Sequence, residues 1–247
     1  MKQNKYDNEL FFSEYKKMSR SVDGLEGAGE WPIFKELLPD FNHKTVLDLG
    51  CGFGWHCRYA REQHATQVIG VDLSEKMLKT ARNYTNDPLI TYLRMPIEDI
   101  HFKEEQFDVV ISSLAFHYIK DFRNICDKVY QYLKPGGSFI FSVEHPIFTA
   151  RAEQDWYYDE EGVRLHWPVD HYQSEGMRET LFLTENVVKY HRTLSSYMND
   201  VIQAGFNIKA VKESLATEEM LQDSPEMKDE NRRPMFLIMS AEKVNGE

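Results

Sequence analysis

Two motifs in the first third of the chain combine glycine with carboxylate in a way that suits nucleotide binding. Glycine recurs at every second position of residues 50–54, directly after the apolar segment 45–49, and Asp72 directly follows the apolar segment 67–71. Glycine permits a turn at positive φ and lets a ligand approach the main chain closely. A carboxylate at the end of the second strand can accept hydrogen bonds from the two hydroxyls of a ribose. Together the motifs predict a pocket for a ribose-bearing cofactor at the carboxyl end of a parallel sheet.

Each motif also has a simpler interpretation. A glycine-rich turn can join a strand to a helix without any ligand, and Asp72 could precede the next helix as a solvated residue beside Ser74. The glycine spacing also differs from the Gly-x-Gly-x-x-Gly pattern of dinucleotide-binding proteins. The pairing of the two motifs, with Asp48 just before the turn, favours a ligand site.

The composition limits the kinds of partner. The chain has 247 residues, a formal net charge of −11 and a pI of about 5.3. An acidic surface repels phosphate backbones, which argues against a nucleic acid as partner. The three cysteines form no close pair, so we expect neither a disulfide framework nor a metal site. The sequence contains no apolar run of membrane-spanning length and no signal peptide, so we expect a cytoplasmic protein without a membrane partner. A homodimer is compatible with the sequence.

Apolar segments of strand length alternate with amphipathic segments of helix length over most of the chain. This order predicts an α/β fold: a Rossmann-like, doubly wound, mostly parallel seven-stranded sheet with helices on both faces. The predicted strands are 45–49, 67–71, 90–94, 107–112, 138–143, 206–212 and 234–240. The predicted helices between them are 55–64, 75–84, 121–133 and 193–204.

Two segments fall outside this alternation. Residues 1–40 are predicted to form an N-terminal helical cap, which begins with an amphipathic helix over 5–19. Residues 146–190 are rich in both aromatic and charged side chains and are predicted to form an insertion that covers the site on the substrate side. The whole chain, residues 1–247, is predicted to be a single domain.

The two motifs resemble those of a known family. Residues 46–54, Val-Leu-Asp-Leu-Gly-Cys-Gly-Phe-Gly, resemble the first motif of class I S-adenosylmethionine-dependent methyltransferases, and residues 68–77 resemble the second. Similar later motifs lie at 98–112, 114–121 and 132–139. The resemblance points to the small-molecule, methyltransferase type 11-like branch. It implies an enzyme that transfers a methyl group from S-adenosyl-L-methionine to a small-molecule acceptor.

The resemblance also implies which residues contact the cofactor. Asp72 would hold the ribose hydroxyls, and Leu73 and Met77 would pack against the adenine. Pro96 stands where the family often has an aspartate, so contacts to the adenine edge would rest on the main chain of the next two residues. The implied cofactor contacts are Asp48, Gly50, Cys51, Gly52, Asp72, Leu73, Met77, Ile97, Glu98 and Leu114.

Methyl transfer from a sulfonium is an in-line displacement, so the enzyme must mainly hold the acceptor atom about 3 Å from the methyl carbon. A general base is needed only where the acceptor keeps a proton. The candidates follow strands that end at the site: His117 after the fourth strand, and Glu144 and His145 after the fifth. Each also has a structural interpretation, His117 as a packing residue and the other two as the corner that begins the insertion.

Two other functions remain open from the sequence. A nicotinamide-dependent oxidoreductase could use a related fold, and a non-catalytic S-adenosylmethionine-binding protein could bind the donor without transferring anything. A nucleic-acid methylase is disfavoured by the acidic charge. Both amino-directed DNA methylases and glutamine-directed methylases carry Asn/Asp-Pro-Pro-Tyr/Phe after the fourth strand, whereas residues 112–115 here read Ser-Ser-Leu-Ala.

Overall fold

A seven-stranded sheet forms the centre of the computed structural model, which describes residues 3–223 and 225–244. In chain order the strands are β1 (Thr45–Leu49), β2 (Gln67–Asp72), β3 (Ile90–Arg94), β4 (Phe107–Ser113), β5 (Leu133–Glu144), β6 (Tyr157–Tyr158), β7 (Arg164–His166), β8 (Gly176–Phe182), β9 (Glu185–His191), β10 (Phe206–Glu213) and β11 (Phe236–Lys243). The sheet order is β10-β11-β5-β4-β1-β2-β3. Pairing is parallel from β5 to β3, and β11 is antiparallel to both of its neighbours. The predicted fold class is confirmed.

Several of the helices begin next to a residue whose side chain caps them. In chain order they are α1 (Glu9–Tyr15), α2 (Ser19–Val22), α3 (Trp31–Glu36), α4 (Trp55–Glu62), α5 (Glu75–Tyr84), α6 (Phe122–Tyr132), α7 (Pro146–Thr149), α8 (Leu194–Gln203) and α9 (Glu218–Asp223). The side chains of Ser74, Asp121 and Thr193 each accept a main-chain N–H in the first turn of α5, α6 and α8, which satisfies one of the free donors there. Among the described residues, no helix is long and apolar enough to cross a membrane.

Both faces of the large sheet are covered by helices. Successive side chains of a strand point to opposite faces, so Val46 and Leu47 of β1 belong to different core clusters, as do Ile140 and Phe141 of β5. One cluster contains residues of α6 and α8, and the other contains residues of α3, α4 and α5. Burial on both faces explains why these strands are almost continuously apolar.

The N-terminal cap differs from the prediction. In place of one amphipathic helix over 5–19, the chain forms a 3-10 turn at Lys5–Asp7, then α1 and α2. Asn8 interrupts the helix because its backbone is extended (φ −68°, ψ 135°) and its side chain accepts the Phe11 N–H at 3.1 Å. Asparagine readily makes such local hydrogen bonds and thereby competes with a continuous helix.

The insertion after β5 contains two hairpins that the sequence did not predict. β6 pairs with β7, and β8 pairs with β9 over Gly176–Phe182 and Glu185–His191. The guanidinium of Arg233, just before β11, lies 4.2 Å from the Trp167 ring centre and 4.9 Å from that of Phe148. These cation–π contacts fasten the insertion to the end of the sheet.

Gly70 of β2 is expected to be essential for packing. A Cβ at this position would lie 2.8 Å from Cys57 Sγ and 2.9 Å from both Cys51 Sγ and Tyr92 Cδ1. We expect Gly70→Ala to lower the free energy of unfolding by about 1–3 kcal/mol through overpacking, as measured by urea denaturation. The control is Gly29→Ala, where the added methyl meets nothing closer than 3.6 Å. Equal stability of the two variants would contradict the tight contact.

Candidate functional site

The glycine turn after β1 is tied directly to the end of β2. The Gly50 N–H donates to the Val71 carbonyl at 2.8 Å, and the Gly52 N–H donates to Asp72 Oδ2 at 2.9 Å. Gly50, Gly52 and Gly54 have φ of +81°, +51° and +70°, in the left-handed region that favours glycine. The two sequence motifs therefore meet through a hydrogen bond.

A cavity of about 550 Å³ lies beside this turn, at the carboxyl ends of β1, β2 and β4. Its volume is in the range of small-molecule sites. Of the residues predicted to contact the cofactor, those that line it are Gly50, Cys51, Gly52, Asp72, Leu73, Met77, Ile97, Glu98 and Leu114. A Cβ built on Gly52 would meet no atom within 4 Å beyond its chain neighbours, so the main chain there is open to a ligand.

Polar atoms around the cavity are suited to a polar ligand. Asn4 Oδ1, Ser21 Oγ and Trp55 Nε1 are buried, lack a hydrogen-bond partner among the described residues, and belong to side chains that line the cavity. Leaving such groups unpaired is costly. The residues around the cavity are therefore partly polar, as a ligand with both donors and acceptors requires.

Asp72 is positioned by two main-chain donors. Besides the Gly52 N–H, its carboxylate accepts the Ser74 N–H through Oδ1 at 2.8 Å. Burial raises the pKa of Asp72 to about 6, although these two donors act in the opposite direction. Each carboxylate oxygen keeps further lone pairs, so the group can still accept hydrogen bonds from a ligand.

Asp48 does not line the cavity, in contrast to the expectation. Its side chain is buried and accepts the Cys57 thiol at 3.2 Å. Burial raises the pKa of Asp48 to about 7. The side chain lies on the face of β1 that also carries Val46, because residues two apart share a face, and α4 covers it there.

His117 lines the cavity, and its hydrogen bond decides which ring nitrogen carries the proton. Nδ1 accepts the Glu144 main-chain N–H at 3.3 Å, so the neutral ring carries its proton on Nε2. Burial lowers the pKa of His117 to about 4. The expectation of a general base at this position is therefore not supported.

Glu144 lines the cavity as half of a buried ion pair. Its Oε1 lies 2.6 Å from Lys189 Nζ, and its Oε2 accepts Gln154 Nε2 at 3.0 Å. Burial acts to raise the pKa of Glu144, but His117 and Lys189 outweigh it and hold this pKa below its usual range. A carboxylate held this way is a weak base.

His145 is turned away from the cavity. Its Nδ1 accepts the Ile147 N–H at 3.1 Å and so caps α7, while Nε2 lies 3.0 Å from Glu213 Oε1. Burial lowers the pKa of His145 despite the nearby Glu213. Of its two interpretations from the sequence, the structural corner fits this geometry and the base does not.

A polar network from the N-terminal cap was missed by the sequence analysis. Arg20 lines the cavity and is paired with Glu30 at 2.5 Å, and Ser113 Oγ donates to the same Glu30 oxygen at 2.8 Å. Burial opposes ionisation of Glu30, yet the Arg20 charge keeps the Glu30 pKa below its usual range. No spacing pattern in the sequence indicates this network, because its members lie on α2, before α3 and at the end of β4.

Comparisons with known proteins agree with this geometry. The sequence profile described as "Methyltransferase domain" matches residues 47–141. An S-adenosylmethionine-dependent methyltransferase from Mesorhizobium loti is 46% identical, with a TM-score of 0.83, over 89% of this chain and 100% of its own. A Listeria monocytogenes protein, provisionally described as such a methyltransferase, is 54% identical, with a TM-score of 0.82, over 88% of this chain and 99% of its own. The chain belongs to the S-adenosylmethionine-dependent methyltransferases.

A further relative of this methyltransferase is an uncharacterized protein of Haemophilus influenzae, 36% identical over 97% of this chain and 96% of its own length. The methyltransferase uses S-adenosyl-L-methionine as its cofactor, and that sulfonium supplies an activated methyl group. The comparisons give no support to nicotinamide-dependent oxidation or to donor binding without transfer.

Filling the open space at Gly52 is expected to block the cofactor. We expect Gly52→Val to weaken S-adenosylhomocysteine binding by at least about tenfold, or about 1.4 kcal/mol, in isothermal titration calorimetry. Gly162→Val is the matched control, because Gly162 also has positive φ (+80°) and open surroundings but does not line the cavity. An equal effect of the two substitutions on affinity would show that backbone strain, and not the crevice, is responsible.

The affinity for S-adenosylhomocysteine is expected to depend on the ionisation of Asp72. The ionised carboxylate accepts hydrogen bonds from a diol, and its pKa is about 6, so affinity should rise between about pH 5 and 7 and then level off. Asp72→Asn should remove this dependence and weaken binding at neutral pH. Asp48→Asn, outside the cavity, should retain it. A pH profile of Asp72→Asn identical to that of the wild type would refute the role of this carboxylate.

Proposed function

We propose that this methyltransferase transfers its methyl group to a small molecule that binds beside the cofactor. In this proposal Asp72 holds the ribose hydroxyls, and the main chain at Gly52 lies against the amino-acid end of the cofactor. The acceptor occupies the acceptor chamber, the part of the cavity lined by Tyr6, His117, Tyr118, Glu144, Phe182 and Lys189.

The observation that carries the proposal is the N-terminal strap, residues 3–8, because residues 3–6 line the cavity. At one end, Gln3 exchanges two hydrogen bonds with the main chain of Val188 in β9, at 2.7 and 3.3 Å. At the other end, Asp7 Oδ1 accepts the Ser74 hydroxyl at 2.6 Å and the Lys76 N–H at 3.1 Å. A strap held at both ends narrows the access to the cavity, which supports an acceptor of small size.

The insertion contributes to the wall of the cavity. Phe182 of β8 and Lys189 of β9 line the same cavity as the glycine turn. Arg192 joins this hairpin to the loop after β4 by donating to the Ile119 and Lys120 carbonyls. The formal net charge of −11 supports the same proposal, since it disfavours a nucleic acid as acceptor.

The proposal is tested by supplying three kinds of acceptor. The purified enzyme is incubated with methyl-tritiated S-adenosylmethionine and, separately, with the ultrafiltrate, the protein fraction and the nucleic-acid fraction of a cell extract. We expect tritium to enter the ultrafiltrate, because the volume of the cavity suits a small molecule. Asp72→Asn serves as the donor-binding control and should transfer far less label. Labelling confined to protein or nucleic acid would overturn the proposal.

A further inference from the structure

The Glu144–Lys189 pair lines the acceptor chamber, so its charges affect which acceptors can bind there. We propose that this pair makes the acceptor chamber selective for molecules that carry no net charge in the part that enters. The inference rests on the proposed function, since it concerns the acceptor of that same site.

The pair is buried, and Gln154 supplies further hydrogen bonds to both of its charged groups. The Glu144 side chain is 13% exposed and the Lys189 side chain 2% exposed. Gln154 bridges them, because its amide oxygen accepts Lys189 Nζ at 2.9 Å and its amide nitrogen donates to Glu144 Oε2 at 3.0 Å. Two opposite charges locked together present no net charge to a ligand, whereas removal of one would leave the other buried and unpaired.

The other charged side chains of the cavity wall are also paired. Outside the predicted cofactor contacts, the charged side chains that line the cavity are Lys5, Arg20, Glu144, Glu153 and Lys189. Lys5 is paired with Glu185 at 3.0 Å, and Glu153 with Arg151 at 3.3 Å. Arg20 is paired with Glu30, as described above. An ionic acceptor would therefore lose its hydration without gaining a free counter-ion.

The remaining surface of the chamber is suited to an uncharged ring. Tyr6 and Tyr118 place their hydroxyl oxygens 3.3 Å apart, and the rings of Phe148, Phe182 and Phe236 also line the cavity. Phenol groups and the His117 Nε2–H offer uncharged hydrogen bonds. Aromatic walls bind apolar rings and leave orientation to such polar groups.

The test uses acceptors of similar size that differ in the charge of one substituent. Amino-, mercapto- and hydroxyl-substituted benzamides are compared with the corresponding benzoates, which are anionic, and benzylamines, which are cationic. The readouts are S-adenosylhomocysteine release and the mass of the methylated product. In the wild type, we expect kcat/KM for the benzamides to exceed that for both charged series by at least about tenfold.

Reciprocal variants assign the selectivity to the pair. Glu144→Gln leaves Lys189 unpaired and should raise the benzoate-to-benzamide ratio of kcat/KM by at least about tenfold, while Lys189→Met should raise the benzylamine-to-benzamide ratio by a similar factor. The double variant is neutral again and should restore the wild-type order. Stabilisation by S-adenosylhomocysteine in a thermal shift assay reports whether each variant is folded.

Two results would overturn the inference. One is a wild-type enzyme that prefers a charged series, which is decisive even where a variant fails to fold. The other is a pair of folded single variants that lose activity equally on all three series, because this would indicate a purely structural role. In both cases a small molecule is still methylated, so the proposed function stands. The proposed function itself is contradicted only if the tritium experiment labels macromolecules alone.

Discussion

The hydrogen bond from the Gly52 N–H to the Asp72 carboxylate is the interaction on which the site depends. It joins the ends of two neighbouring parallel strands, and it requires the left-handed backbone of the glycine turn. The parallel register of β1 and β2, which pairs Leu49 with Val71, brings the two ends to the same level. Inside the sheet, Gly70 leaves room for the sulfur atoms that lie beneath the turn. The position of the carboxylate is therefore set by the core as well as by its own hydrogen bonds.

Most of the fold was predictable because burial on both faces leaves a strong pattern. The central strands are apolar throughout, and capping residues such as Ser74 and Thr193 mark where helices begin. The insertion leaves no such pattern. The hairpin strands β6 and β7 are short and exposed, so their side chains do not alternate between core and solvent. In the cap, one asparagine side chain was enough to divide a helix whose apolar spacing was continuous.

The candidate site, like the fold, was predictable only in part. The residues around the glycine turn are close in sequence to their strands, so motifs could indicate them. The acceptor chamber is assembled from distant segments, and the Gln3–Val188 contact joins residues 185 positions apart. Residue type alone also could not decide which of the candidate residues could act as a base. His117 and His145 are chemically equivalent in the sequence, and only their hydrogen bonds show that His117 accepts a main-chain N–H beside the cavity and that His145 caps a helix.

The N-terminal strap has a consequence for the timing of turnover. Asp7 holds it to the first turn of α5 on the cofactor side, and Gln3 holds it to β9 on the acceptor side. The same short segment therefore borders both ligand sites, and a displacement of the strap would open the acceptor side and the cofactor side at the same time.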